Sequence, residues 1–245
     1  MSIKSISAFA LSFALLAACS AGEEATPTSE ETVTEEVVVE ETAELPAKLE
    51  GIAAGTYKLD PTHAFLFADV THNGISTYTV KFTDYDVEIG FNPAEPGAST
   101  MTATINPLGL ETNYPADYKA GHADSGFDTW NDHIARSEGF LNADAFPEIT
   151  FVTTSAETTG EYTGTITGDL SFRGTTAPVT LDVTMIGAIN DSAWHGGADV
   201  LGFDATGTLS RGAFGSTAVG SVSDEVTLTF SGEFIQDMPE AEPAE

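Results

Sequence analysis

The chain has 245 residues, with 38 acidic against 8 basic side chains and a formal net charge of −30. A surface this acidic excludes nucleic acid as a partner, since binding it needs a basic face, and disfavours adsorption to anionic lipid headgroups. One cysteine, Cys19, excludes a disulfide within the chain.

Residues 1–18 carry one cation, Lys4, and then an apolar run from Ile6 to Ala18. The run is too short to span a bilayer and fits a secretory signal peptide that is removed. It ends in Leu16-Ala17-Ala18-Cys19, which resembles the bacterial lipobox. The resemblance implies that Cys19 is lipidated, and that the exported protein is anchored by this lipid to a bacterial membrane with its domain in the periplasm. Residues 19–50 hold ten glutamates against one lysine, Lys48. Such a segment cannot bury enough apolar surface to offset its ordering entropy, so it reads as a disordered acidic tether with a reach of about 30 Å. Residues 237–245 read as a disordered acidic tail.

Residues 51–236 suit one domain, and they read as strands of period two. Eight are predicted, at 57–71, 78–91, 99–106, 148–155, 161–173, 178–187, 200–209 and 225–236. In "YTGTITGDLSFR", Tyr162, Ile166, Leu170 and Phe172 share a parity with Gly164 and Gly168, while threonines hold most of the other. Between Tyr78 and Phe91 the phase slips: Val80 and Phe82 are even, but Tyr85, Val87, Ile89 and Phe91 are odd. One extra residue near Thr83 and Asp84 accounts for it as a bulge. Threonine-rich outer faces suit an antiparallel sheet wetted on one side, and eight such strands close into a barrel that removes exposed edges. Pattern alone leaves a filled sandwich core as the alternative. Between the third and fourth strands, Phe127, Trp130 and Ile134 stand at roughly helical spacing, with Asp128 as the candidate N-cap. This short helical insert either plugs the barrel end or lids a lumen.

Five stretches, "YKLDPTHAFLFADVTHNGIS", "HIARSEGFLNADAFPEITF", "GDLSFRGTTAPVTLDV", "GFDATGTLSRGAFG" and "SDEVTLTF", together resemble the bacterial YceI-like proteins in order and spacing. That resemblance implies an all-β, eight-stranded antiparallel lipocalin-like barrel. It also implies an exported carrier or store of a long-chain isoprenoid lipid, a polyisoprenoid or an isoprenoid quinone, with no other cofactor. The sequence departs from the family at Ala64, where serine is usual, at Ala68, where phenylalanine is common, and at Val80, where glycine is common. Ala68 widens a lumen and Val80 narrows it.

Containment asks only for a dry lumen with a polar end. The inward parities offer Leu66, Val70, Phe82, Ile105, Ile166, Leu170, Phe172, Leu181, Val183, Phe203, Leu209, Leu228 and Phe230 as its lining. Trp130, Ile134, Phe140 and Phe151 form the lid side, and His72 and Arg211 are the head-group candidates. The sequence shows no catalytic motif: G-x-S-x-G is absent and the single cysteine is assigned to the lipid. His63 and His72 have opposite parity, which on an unbulged strand points them to opposite faces, unless the Asp60-Pro61 start twists His63 round; no H-x-H or H-E-x-x-H occurs, so no metal is expected. The competing functions are an envelope interaction or stress protein with a filled barrel, and a metal-dependent hydrolase. Phe65 and Phe67 fall on the outer face, where either the insert covers them or they dock a partner, a homodimer included.

Overall fold

The computed structural model describes residues 47–216 and 220–238. The predicted signal peptide, Cys19, the tether up to residue 46 and the tail from residue 239 lie outside the described residues.

Ten strands form one antiparallel sheet. They are β1 (Gly55–His72), β2 (Ser76–Phe82), β3 (Tyr85–Phe91), β4 (Thr100–Ile105), β5 (Leu110–Glu111), β6 (Ile149–Gly160), β7 (Thr163–Phe172), β8 (Thr175–Ile189), β9 (Val200–Ser210) and β10 (Val222–Gln236). Hydrogen bonding runs in order from β10 through β9, β8, β7, β6, β4 and β3 to β1, and β1 pairs back to β10, so the sheet closes. β2 and β3 are two halves of one wall: β2 pairs with the later part of β1, from Leu66↔Phe82 to His72↔Ser76, and β3 with its start, from Gly55↔Phe91 to Lys58↔Glu88. Counted so, the barrel has eight strands, and β5 is a two-residue addition to the edge of β2. The phase slip corresponds to Thr83 and Asp84, which leave the ladder. Their backbones bond instead to the following loop, Thr83 N–H to Gly109 O at 2.8 Å and Asn106 N–H to Asp84 O at 2.9 Å.

A second irregularity was not foreseen. Leu59 pairs with Phe234 and Ala64 with Gly232. Residues 60–63 therefore stand opposite Glu233 alone, an odd number of extra residues, which inverts the parity of β1. Tyr57 and Leu59 are buried on the odd positions, while Leu66, Ala68 and Val70 line the interior on the even ones. Gly232 fits this bulge because a Cβ there would stand 2.7 Å from the Phe230 ring and 3.0 Å from Leu59 Cδ1.

The two barrel ends differ. At one, Leu49 and Ile52 pack into the core, both nearly inaccessible, so ordered packing begins before the expected boundary at residue 51. The buried Asp199 carboxylate ties this closed end. It accepts from Ala53 N–H at 2.7 Å, the Asn190 amide at 2.8 Å and Asp191 N–H at 3.0 Å. Asp237, expected in the tail, pairs with Lys58 at 2.7 Å and donates its N–H to Thr56 O at 2.8 Å.

At the other end lies the insert between β4 and β6. It holds β5, a four-residue helix α1 (Tyr118–Gly121) and the seven-residue helix α2 (Trp130–Arg136). The helix is as expected, but its cap is not Asp128. Thr129 caps it, its hydroxyl accepting from Asp132 N–H at 3.0 Å and donating to the Asp132 carboxylate at 2.8 Å. Asp128 instead forms an ion pair with Lys119. Ile134 and Ala135 face the core, which seats α2 as a lid.

Candidate functional site

The interior is not filled. Behind the insert lies a cavity of about 500 Å³ whose walls are almost wholly hydrocarbon. Period-two alternation supplies them from every wall of the barrel, and α2 and the loop after it close over them. Of the residues expected at a lumen, Leu66, Val70, Phe82, Ile105, Leu170, Phe172, Leu181, Leu209, Leu228 and Phe230 line this cavity from the strands. Trp130, Ile134 and Phe140 line it from the lid side, whereas Phe151, expected there too, belongs to the barrel wall, paired in β6 between Ala103 and Leu170. Ile166, Val183 and Phe203 do not; they border a smaller cavity of about 120 Å³ toward the closed end. Gly164 and Gly168, on the inward parity of β7, serve close packing. A Cβ on Gly164 would meet Glu157 O at 2.6 Å, and one on Gly168 would meet Val152 O at 2.7 Å and the Phe151 ring.

Sequence reasoning missed the contributors from irregular chain. Tyr114, His122 and Leu141 come from the insert, and Ser216 and Ser221 from the segment before β10. The insert residues form an aromatic cluster over the opening: the Tyr118 and His122 rings stack at 4.4 Å, and Trp130 stands 5.6 Å from Tyr118 and 5.2 Å from His133. The only signal available beforehand was the density of aromatic and histidine residues between Tyr114 and Phe140. His133 is pushed below the ordinary imidazole range by burial first and by His122 second. Its Nδ1 is hydrogen-bonded to the Tyr118 hydroxyl.

The lid is bolted to its surroundings by polar contacts. Trp130 Nε1 donates to the Tyr78 hydroxyl at 2.7 Å. Arg173, on the turn between β7 and β8, donates to Phe140 O at 2.5 Å and to Gly215 O at 3.0 Å. Ser216 donates to Gly139 O at 2.8 Å.

His72 and Arg211 both reach the cavity, at its mouth. His72 ends β1 and lies 3.4 Å from the Asn73 amide. Arg211 follows β9; its Nε donates to Ser223 O at 2.8 Å, and its terminal nitrogens donate to Ser216 Oγ and Val222 O, both at 3.3 Å. Burial lowers its pKa, partly opposed by Asp224, yet a guanidinium is so strong a base that it stays charged. The mouth thus carries a fixed cation on a strongly anionic protein.

His63 lies elsewhere. The bulge puts it outside the barrel, its Nδ1 2.7 Å from Asp60 Oδ2 and 3.9 Å from Glu233 Oε2. His63 stands on the opposite face from His72, as parity indicates, and its donor atom converges with those of Asp60 and Glu233, all within 4.8 Å of one another. The arrangement is that of an ion pair. Burial would raise the Asp60 pKa, but hydrogen bonds from the Thr62 hydroxyl, the His63 imidazole and Thr62 N–H outweigh it and hold it at about 2. The same bond, then the Asp60 charge and then Glu233, raise His63, so a proton occupies Nδ1. Phe65 and Phe67 stack on each other at 4.9 Å on the outer face, and Phe65 stays 37% exposed.

Fold and cavity define a closed antiparallel β-barrel with an apolar lumen, a lid and one polar mouth. A YceI-like domain accounts for residues 57–234, and the chain belongs to that family. It is 34% identical over 186 residues to protein YceI of Escherichia coli O6:H1, and 34% identical over 185 residues to a UPF0312 protein of Pseudomonas putida. Each match covers 75% of this chain and 88% of the relative. Among solved structures, a Campylobacter jejuni YceI protein superposes with a TM-score of 0.55 at 24% identity, over 67% of this chain and 88% of that one. Burkholderia cenocepacia BcnA superposes with a TM-score of 0.56 at 20% identity, over 71% of this chain and 98% of that one. Both share the fold.

Proposed function

We propose that the barrel binds the chain of a long isoprenoid lipid, a polyisoprenoid or isoprenoid quinone, and carries or stores it in the bacterial cell envelope. One observation carries this reading: an apolar cavity of about 500 Å³ opens at a mouth that holds Arg211 and His72. Hydrocarbon walls favour a hydrocarbon guest, because each buried methylene contributes about 0.8 kcal/mol. The polar groups sit only where a head group would emerge. Phe82, Leu170 and Leu228 along the lumen hold the chain, while Trp130, Ile134 and Phe140 cover it. The role is binding rather than catalysis: the walls are almost wholly hydrocarbon, and His72 and Arg211 at the mouth serve a head group. The lipobox resemblance at Cys19 supports anchoring of the exported domain to the membrane that supplies the lipid.

Organic extraction of the natively purified full chain, followed by mass spectrometry, tests the reading. Near-stoichiometric long-chain lipid is expected. Recovery of none, together with failure of the protein to take up a polyprenyl probe, would overturn it. Incorporation of labelled palmitate, abolished in Cys19→Ser, tests the anchor separately.

A further inference from the structure

The barrel interior has two chambers. Four side chains, Met101, Leu181, Ala205 and Phe230, line both the large cavity and the small one. The strands fix their order along the barrel. On β9, Leu209 faces the large cavity, Ala205 both, and Phe203 the small one. On β10, Leu228 faces the large cavity, Phe230 both, and Phe234 the small one. Ala205 pairs directly with Phe230, and Val183 with Ala205. The shared residues therefore form a partition at one height, with the small cavity beneath it.

The partition is thin and soft. Ala205 contributes a single methyl, and Met101 is only half-buried, on an unbranched thioether side chain that adapts to irregular space. Below it, Phe91, Met185 and Phe234 are buried, so the small cavity has hydrocarbon walls. The rims of the two cavities differ in charge. The mouth presents Arg211, whereas the rim of the small cavity presents Glu157 and Glu161, beside two register shifts in β6. A polar or anionic head group is drawn to the mouth and turned away from the acidic rim of the small cavity. The ten residues of β7, which span both chambers, give about 30 Å of strand.

We propose that the two cavities are successive segments of one ligand path, with Met101 as a displaceable partition. The barrel then selects single-chain amphiphiles whose tail outruns the upper chamber and lodges its end beneath Met101, beside Val183 and Phe203. The inference rests on the reading that the lumen holds a lipid chain, and it adds a length preference and an orientation to it. Each further methylene that enters the lower chamber tightens binding up to about fourfold.

The test compares prenyl alcohols of increasing length, bound to the full chain and to Val183→Phe, which fills the lower chamber without touching the upper. Short chains should bind both alike. Affinity for long chains should keep rising in the wild type and level off in the variant, with a deficit of about tenfold or more. Parallel curves would overturn the two-chamber path and leave lipid binding standing. No binding at any length to the wild type would overturn both. Should Val183→Phe fail to fold, Phe203→Trp supplies a second readout. A chain brominated at its tail end should quench the added indole and one brominated near its head should not; equal quenching overturns the proposal.

Discussion

The Trp130 indole donates to the Tyr78 hydroxyl at 2.7 Å, joining the first residue of α2 to an inward residue of β2. That bond is one of few polar ties between lid and wall, and losing it costs the lid about 1 kcal/mol. In Tyr78→Phe the barrel should keep its stability. Amide exchange in α2 should speed about fivefold, and bound lipid should leave faster. Exchange measured by mass spectrometry checks this; an unchanged α2 would show that packing alone seats the lid.

The ion pair between His63 and Asp60 sets a pH window. Asp60 is depressed from 3.8 to about 2, so its contribution is present above pH 4 and is lost as pH falls toward 2. His63 is raised above 6.5, so its contribution is present below that pH and is lost as pH rises through the folded-state value. The stability difference between wild type and His63→Gln should therefore be largest between about pH 4 and 6.5 and should shrink on either side. Urea midpoints across that range measure it. A difference independent of pH would mean that the ring only packs.

At the closed end, Asp199→Ala strips the acceptor from three donors at once, Ala53 N–H, Asp191 N–H and the Asn190 amide. The expected cost is about 3 kcal/mol, with the turn at Ala47–Leu49 becoming open to proteolysis. Tyr57 reports on the same site. Burial first and the Asp199 charge second push its pKa up to about 12. In Asp199→Asn an ultraviolet titration should find it lower, yet still above 10 because burial remains.

Gly168→Ala should destabilise the barrel by about 1–3 kcal/mol. A Cβ would stand 2.7 Å from the Val152 carbonyl, which is backbone and cannot turn aside as a side chain does. Adding Phe151→Leu relieves the ring clash only, so the double variant should recover part of the loss in urea unfolding.

The strands were legible because most of their length carries a two-residue period with one face apolar, and the break at Thr83 and Asp84 showed itself as a change of parity. The bulge at Asp60–His63 did not show, since Asp-Pro reads equally well as a strand start. With it went the knowledge that Tyr57 and Leu59 face inward on odd positions. Thr129 and Asp128 are neighbouring residues of cap type, and only the helix's docking on the core chooses between them. Parity gives the face of a side chain but not its height along the barrel. Ile166, Val183 and Phe203 were therefore grouped with Leu170 and Leu209 although they lie beyond Met101. Tyr114 and His122 reach the mouth from chain with no period at all.

The seam of the barrel joins β1 to β10, from Tyr57↔Gln236 to His72↔Val222. The first strand can find its final neighbour only after nearly the whole domain exists. Loop-closure entropy makes such a long-range pairing slow. Until it forms, both seam strands present unpaired backbone, a template for association with other chains. A chain that stops before Val222 lacks β10 and has no cylinder, so synthesis must pass Gln236 before there is an inside for anything to occupy.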